Sequence, residues 1–373
     1  MSSPQVAFSH TGRLLEAQRR MNLMGADVLV VGLGNSMRYF TGFADEPGER
    51  LFLLLVPKDG DPRMVLPKMY EAQVRAATSG VALRAWEDGD DARSVLSDEM
   101  KRLSPTLRTA LVDDQLWSAF TLMCQSVLPE TRFESASALV SSLRVRKDSA
   151  EVAALARAAA IADEAFDQVS RSKLAGLTEA QIALEITSLM TDSGGEGVAF
   201  GPIVASGPNS AFPHHRAGDR VIRRGDVVVI DYGCLVNGYC SDITRTVVCG
   251  RPPEGFEEVY RAVVDAQRAA LEAAQPGSPA HQVDAAARDV LTRRSLGGFF
   301  IHRTGHGIGL DVHEAPEVSP GSCTILQAGM VFSIEPGVYL DGFFGVRIED
   351  IVVVEERSCS PLNKAHKELV VVR

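Results

Sequence analysis

The stretch DVVVIDYGCLVNGYCSDITRTVV, Asp226 to Val248, sets two apolar runs on either side of Asn237-Gly238. That dipeptide suits a two-residue type I′ turn, whose central residues both need positive φ. With those two as the loop, Gly233 stands opposite Asp242 and Asp231 opposite Thr244. Side chains alternate faces along a strand, so Asp231 and Asp242 project from one face as diagonal neighbours, about 7 Å apart at the backbone. Two carboxylates on one apolar-flanked face repel each other and resist desolvation, which calls for a positive group between them. A metal ion is the economical candidate. A pair of solvent-facing aspartates on an edge hairpin is the plain alternative.

The same pattern returns downstream. Glu335 ends the apolar run MVFSIEPG, Met330 to Gly337, and the following Pro-Gly stops the strand at the carboxylate. Glu349 stands in GVRIEDIVVV, Gly345 to Val354, where Val346, Ile348 and Val352 to Val354 make exposure of the whole strand costly. An acidic residue in such a run needs a partner. Arg347 alternates onto the same face and could supply one, yet a single arginine cannot neutralise four carboxylates. His306, in HRTGHGIGLDVHEAP at His302 to Pro316, adds an imidazole. The charge of four carboxylates would be balanced by two divalent ions, and an oxygen-rich set with one nitrogen favours harder ions such as Mn²⁺ or Co²⁺. With no cysteine among the candidates, a structural zinc site is disfavoured. Paired ions roughly 3.5 to 4 Å apart can share a water, lower its pKa and polarise a carbonyl, which implies hydrolysis. Gly305, Gly307 and Gly309 do not make a phosphate cradle, because neither Walker register nor GxGxxG spacing is present. They are expected to let backbone and ligand approach the metals closely.

Around these strands lie helices. Asp148 with Glu151 and Thr178 with Gln181 form capping boxes that start two helices, the second ending at Gly194 and Gly195. Val259 to Ala274 and His281 to Arg293 carry helical apolar spacing. The chain before the first capping box alternates differently: Arg13 to Met24 is an amphipathic helix, while Asp27 to Leu33, Leu51 to Pro57, Val81 to Trp86 and Arg108 to Val112 are strands. A boundary near Leu143 therefore divides an N-terminal α/β domain, residues 1–143, from an α+β domain, residues 144–373.

Composition narrows the function. The chain has 373 residues, 45% of them hydrophobic, and a formal charge of −10 without a basic run. Nucleic acid and anionic membrane are poor partners for such a surface, and a small molecule or peptide fits better. No apolar stretch approaches the roughly 18 residues of a membrane span, and the N-terminus lacks the pattern of a secretory signal, so a cytoplasmic location is expected. Cys124, Cys234, Cys240, Cys249, Cys323 and Cys359 form no CxxC pair and are expected to be reduced and mostly buried.

At these residues the chain closely resembles the pita-bread metallopeptidases, in their proline-specific branch of Xaa-Pro dipeptidase (prolidase) and aminopeptidase P. The motifs are SGPNSAFPHH at Ser206 to His215, DYGCLVNGYCSDITRT at Asp231 to Thr246, HRTGHGIGLDVHE at His302 to Glu314, SIEPGVY at Ser333 to Tyr339 and GVRIEDIVVV. MRYFTGF at Met37 to Phe43 and SSLRVRKDSAEVAALARAA resemble, more weakly, the creatinase-like first domain and its linker. The resemblance implies that Asp231 binds one metal, that Asp242 and Glu349 bridge two, and that His306 and Glu335 complete the other. It implies Glu335 as general base on the shared water, His214 and His313 as groups contacting substrate and tetrahedral intermediate, and Arg347 as the residue that orients its neighbours. His302, His215 and Tyr39 are left without a fixed role. The activity implied is hydrolysis of the bond before proline, in dipeptides first, with aminopeptidase P action on longer peptides or hydrolysis of a non-peptide amide as alternatives. Creatine amidinohydrolase, which shares the fold, does not use the metal set, and binding-only relatives lose ligands, whereas all five are present here. Mn²⁺ is the first choice of ion, with Co²⁺, Fe²⁺ or Zn²⁺ as alternatives. The family is commonly dimeric, so a homodimer is expected.

Overall fold

A computed structural model describes residues 9–104 and 106–372, which form two compact units, Met1–Arg144 and Val145–Arg373. The first unit holds strands β1 Val28–Gly32, β2 Leu53–Pro57, β3 Arg63–Pro67, β4 Ala82–Trp86, β5 Thr109–Val112 and β6 Arg132–Ser135. They make one sheet in the order β4-β3-β2-β1-β5-β6, parallel except where β2 runs against β1 and β3. Its central strands are buried along their whole length, as expected for a sheet covered on both faces. Helices α1 His10–Met24, α2 Asn35–Thr41, α3 Glu71–Ala77, α4 Ala92–Leu103, α5 Ser118–Val127 and α6 Ser137–Arg144 connect and cover the strands. Val30, Leu53 and Leu55 pack with Leu96, Met100 and Phe120 in its core. This is the α/β domain read from the sequence.

The second unit is α+β and repeats one plan. Helices α7 Ser149–Val169 and α8 Glu179–Asp192 precede strands β7 Ile203–Ser206, β8 Val227–Tyr232, β9 Leu235–Val236, β10 Tyr239–Cys240 and β11 Ile243–Cys249. Helices α9 Phe256–Ala273 and α10 Ala280–Arg293 then precede β12 Gly305–Gly307, β13 Glu314–Val318, β14 Val331–Ile334, β15 Gly337–Leu340, β16 Phe344–Arg347 and β17 Asp350–Val354, followed by β18 Cys359–Pro361 and β19 Val370–Val372. Both capping boxes form, with side chain and backbone exchanging hydrogen bonds at Asp148 and Glu151 and at Thr178 and Gln181. The second helix ends at Asp192, two residues before Gly194.

The register read from Asn237-Gly238 holds through the hairpin. Asn237 and Gly238 both have positive φ, 51° and 77°. Thr244 pairs with Asp231, and Val248 still pairs with Val227. Period-two alternation then sorts the side chains. Ile230, Tyr232 and Ile243 pack against Ile161, Phe166 and Ile182 of the helices, which turns Asp231, Asp242 and Thr244 to the other face. In the second half, Ile334, Val346 and Ile348 pack with Val259, Val263 and Val283, which does the same for Glu335, Arg347 and Glu349.

Two strands read as continuous are broken, and a third stops where its Pro-Gly was expected to stop it. Tyr239 to Val248 divides at Ser241-Asp242, Met330 to Gly337 stops after Ile334 with Gly337 opening a new strand, and Gly345 to Glu356 divides at Ile348-Glu349. At the last two breaks the chain passes between the β15-β16 hairpin and the sheet β13-β12-β14-β17-β18. Apolar alternation continues across the breaks at Asp242 and Glu349, so the pattern alone reads as one strand there. Each break carries a carboxylate.

Candidate metal centre

Asp231 from β8, Asp242 before β11, His306 from β12, Glu335 after β14 and Glu349 before β17 line one cleft of about 510 Å³, together with His214, His302, His313 and Arg347. The structure therefore brings every residue expected at the site to one wall. Asp242, His306 and Glu349 offer ligand atoms within 4.8 Å of one another. His306 Nε2 lies 3.3 Å from Glu335 Oε1 and 3.7 Å from Asp242 Oδ2.

His306 is oriented by its other nitrogen. Nδ1 is 3.1 Å from the carbonyl of Gly307, so Nδ1–H donates there and the Nε2 lone pair is left for the cluster. Burial, with the neighbouring His313, lowers its pKa to about 3, so the ring is a neutral donor. The carboxylates are strained electrostatically. Burial and then the charges of Glu349, Asp231 and Glu335 push Asp242 well above the usual carboxylate range. Burial followed by Glu335 and Asp231 does the same to Glu349, and burial raises Glu335 to about 7.

Among the described residues four buried side-chain nitrogen or oxygen atoms lack a hydrogen-bond partner, and three are Asp231 Oδ1, Asp242 Oδ1 and Glu349 Oε1. Buried acceptors are normally satisfied, so three orphaned anionic oxygens beside a free imidazole nitrogen fit a site for divalent cations. The other oxygens of Asp231 and Glu349 are occupied. Arg347 Nη2 donates to Asp231 Oδ2 at 2.5 Å, and Thr244 Oγ1 donates to Glu349 Oε2 at 2.6 Å. Ser333 Oγ donates to Glu335 Oε1 at 3.1 Å.

Thr244, Ser333 and Tyr339 complete the site and were not picked out from the sequence. Thr244 Oγ1 accepts from Arg347 Nε at 3.1 Å while donating to Glu349, so one hydroxyl ties the two. Its position directly across from Asp231 was a usable signal. Ser333 sits two residues before Glu335 on the same strand face, where a hydroxyl can reach the carboxylate. Tyr339 Oη accepts from Arg347 Nη1 and lies 2.8 Å from His302 Nε2. His302 Nδ1 faces the Arg303 carbonyl, and burial lowers the ring to about 3. His302 is thus a neutral buried member of the wall.

Two residues left open lie elsewhere. Tyr39 is buried in the first unit, where its hydroxyl donates to the Leu143 carbonyl. His215 turns away from the cleft toward Glu179, at 2.7 Å. The glycines also differ from expectation. A Cβ on Gly305 would stand 1.8 Å from the Ser333 carbonyl oxygen, and one on Gly307 2.1 Å from that of Ala315. They permit close approach of neighbouring strands rather than of a ligand.

The model for metallopeptidase family M24 matches residues 153–356, and that for the creatinase/prolidase N-terminal domain matches residues 13–146. The probable dipeptidase PepE of Mycobacterium tuberculosis is 41% identical over 350 residues, 92% of each chain. The crystal structure of recombinant prolidase from Thermococcus sibiricus superposes with a TM-score of 0.95 at 38% identity, covering 98% of this chain and 100% of that one. The X-Pro aminopeptidase of Thermotoga maritima superposes at 0.83 with 34% identity, covering 95% and 100%.

Proposed function

Because the chain belongs to metallopeptidase family M24, we propose that it is a metal-dependent exopeptidase that hydrolyses the bond between an N-terminal residue and a following proline, acting as an Xaa-Pro dipeptidase. The observation that carries this reading is the set of orphaned, buried oxygens of Asp231, Asp242 and Glu349 beside His306 Nε2.

Asp231, Asp242, His306, Glu335 and Glu349 would hold two divalent ions. When bound there, the pair would lower the pKa of a shared water and polarise the scissile carbonyl. Glu335 then accepts the proton of the attacking water at its carboxylate and passes it to the departing proline nitrogen. His214 and His313 line the same cleft and donate to the oxygen on which negative charge develops. Burial, followed by the charges of Arg303 and His214, lowers His313, which keeps it a neutral hydrogen-bond donor near pH 7. Arg347 holds Asp231 and thereby its free oxygen's direction. Phe200, Ile203, Pro213 and Val312 make an apolar part of the wall that suits a pyrrolidine ring.

Mn²⁺ is the proposed ion, supported by the oxygen-rich ligand set. A homodimer is proposed from the family resemblance. A cytoplasmic location is supported by six free cysteines, and among the described residues no helix is long and apolar enough to cross a membrane.

The test is direct. The purified chain, stripped with chelator and reloaded with Mn²⁺, is given Ala-Pro, Ala-Pro-Ala, longer Xaa-Pro peptides and a simple non-peptide amide. Release of alanine from Ala-Pro is expected. Release from the longer peptides alone would favour the aminopeptidase P reading, supported by the likeness to an X-Pro aminopeptidase. No release from any Xaa-Pro substrate would sink the proposal.

A further inference from the structure

The adjacent histidines 214 and 215 have opposite fates. His214 is exposed and lines the cleft, whereas His215 is directed into the protein at Glu179. Glu179 is fully buried in the first turn of α8 and belongs to none of the groups assigned so far.

Its carboxylate gathers one loop. Oε1 accepts from the Ser206 amide at 2.8 Å, the Ser206 hydroxyl at 2.7 Å and Asn209 Nδ2 at 3.0 Å. Oε2 accepts from His215 Nε2 at 2.7 Å and more distantly from the Gly218 amide at 3.4 Å. Backbone amides at the start of α8 hold the same loop, with Glu179 N–H donating to the Arg220 carbonyl and Ala180 N–H to that of Gly218. Burial pushes the Glu179 carboxyl up, but hydrogen bonds from Ser206, His215 and Asn209 outweigh it and leave the group below its ordinary value, hence ionised.

On the other side of His214, the Pro213 carbonyl accepts from Arg347 Nη1 at 3.3 Å. The residues before and after His214 are thus each fastened to a buried charged group. Only the side-chain torsions of His214 remain free.

We propose that Glu179, acting through His215, is a positioning residue that fixes the 207–218 loop so that the His214 ring meets the substrate. This rests on the peptidase reading above. A displacement of the order of 1 Å in a substrate-facing group can cost about 100-fold in rate, and a neutral Gln cannot satisfy the same five donors.

The experiment is a double-mutant cycle in the metal-loaded full chain, reading kcat and KM for Ala-Pro in wild type, Glu179→Gln, His214→Ala and the pair. A fall in kcat/KM of about 10- to 100-fold is expected for Glu179→Gln alone. In the His214→Ala background the same change should cost less than about 3-fold, because the group being positioned is gone. Equal losses in both backgrounds would overturn the proposal, since a general defect in folding multiplies through. His215→Asn, a milder cut of the same link, repeats the cycle if Glu179→Gln does not fold. Trypsin cleavage after the exposed Arg216 reads the loop independently of activity and should quicken in Glu179→Gln. Unchanged cleavage refutes the anchor even in an active enzyme. Quickened cleavage in a chain that hydrolyses no Xaa-Pro peptide leaves the anchor standing and removes the peptidase reading instead.

Discussion

Arg347 Nη2 donates to Asp231 Oδ2 at 2.5 Å, and Asp231 Oδ1 on the same carboxylate has no partner. The arginine thus uses up one oxygen and aims the other. It also donates to Thr244, Tyr339 and the Pro213 carbonyl, so a single buried guanidinium sets the positions of four neighbours. Arg347→Lys cannot reproduce that fork. Metal affinity, measured by competition with a chelating indicator, should weaken by about 10- to 100-fold. A lysine variant with wild-type affinity would show that Asp231 is aimed by something else.

Asp242→Asn should have opposite effects on the metal-free and metal-loaded chain. The asparagine keeps the shape of Asp242 but removes a carboxyl whose ionised form burial and the charges of Glu349, Asp231 and Glu335 disfavour in the folded chain. The metal-free variant should therefore melt a few degrees above the metal-free wild type, roughly as expected for 1 kcal/mol or more in a unit of this size. Bound metal per chain, by elemental analysis after dialysis, should fall, and activity with it. Lower stability in both states would mean that the carboxylate serves packing and not a cation.

The metal-free chain should lose stability on the alkaline side of neutrality. Burial and mutual repulsion hold Asp242 and Glu349 well above the usual carboxylate range and bring Glu335 to about 7. The folded chain then keeps protons that the unfolded chain has released by about pH 5, so stability falls as pH rises through the folded values. His302 and His306, lowered to about 3 from 6.5, work in the opposite sense, but only below 6.5. Urea midpoints in chelator should drop from about pH 6.5 to 8.5, and saturating Mn²⁺ should flatten the dependence. A flat profile in chelator would contradict the charge cluster.

Lys147→Met should be costly for a single surface-remote change. Lys147 Nζ meets Glu314 Oε1 at 2.6 Å with the lysine side chain 1% exposed, and Glu314 directly follows His313. Removing the ammonium takes one charged hydrogen-bond donor from a largely buried carboxylate, at a cost of about 1 to 3 kcal/mol. Adding Glu314→Gln should recover much of the loss. Denaturant unfolding of the single and double variants checks both statements.

The site was legible wherever local chemistry and register agreed. Asn237-Gly238 admits one hairpin register, and that register puts Asp231 and Asp242 on the face opposite the helix-packed Ile230, Tyr232 and Ile243. The capping boxes at Asp148 and Thr178 were equally local and formed as read. The stop at Glu335 was legible from the Pro-Gly that follows it, whereas the interruptions at Asp242 and Glu349 were not, because a change of sheet is decided by packing while apolar alternation runs on unchanged. Thr244, Ser333 and Tyr339 escaped notice for a related reason. A hydroxyl acquires its role from the partner it meets across a fold, so register could place Thr244 opposite Asp231 without showing that it ties Glu349 to Arg347. Gly305 and Gly307 were seen but misread, since the clash that demands glycine comes from strands distant in sequence.

The breaks at the carboxylates bear on how a substrate can enter. The proposed ligand atoms come from both repeats of the second unit, Asp231 and Asp242 from one, His306, Glu335 and Glu349 from the other, each near the point where its strand starts or ends. Cations held across that seam would rivet the two sheets, so sliding of one past the other, a common means of opening a cleft, would tear the ligand set apart. With the cations in place, access to this cleft would belong to side chains and loops at its mouth, and the second unit would serve as a rigid anvil.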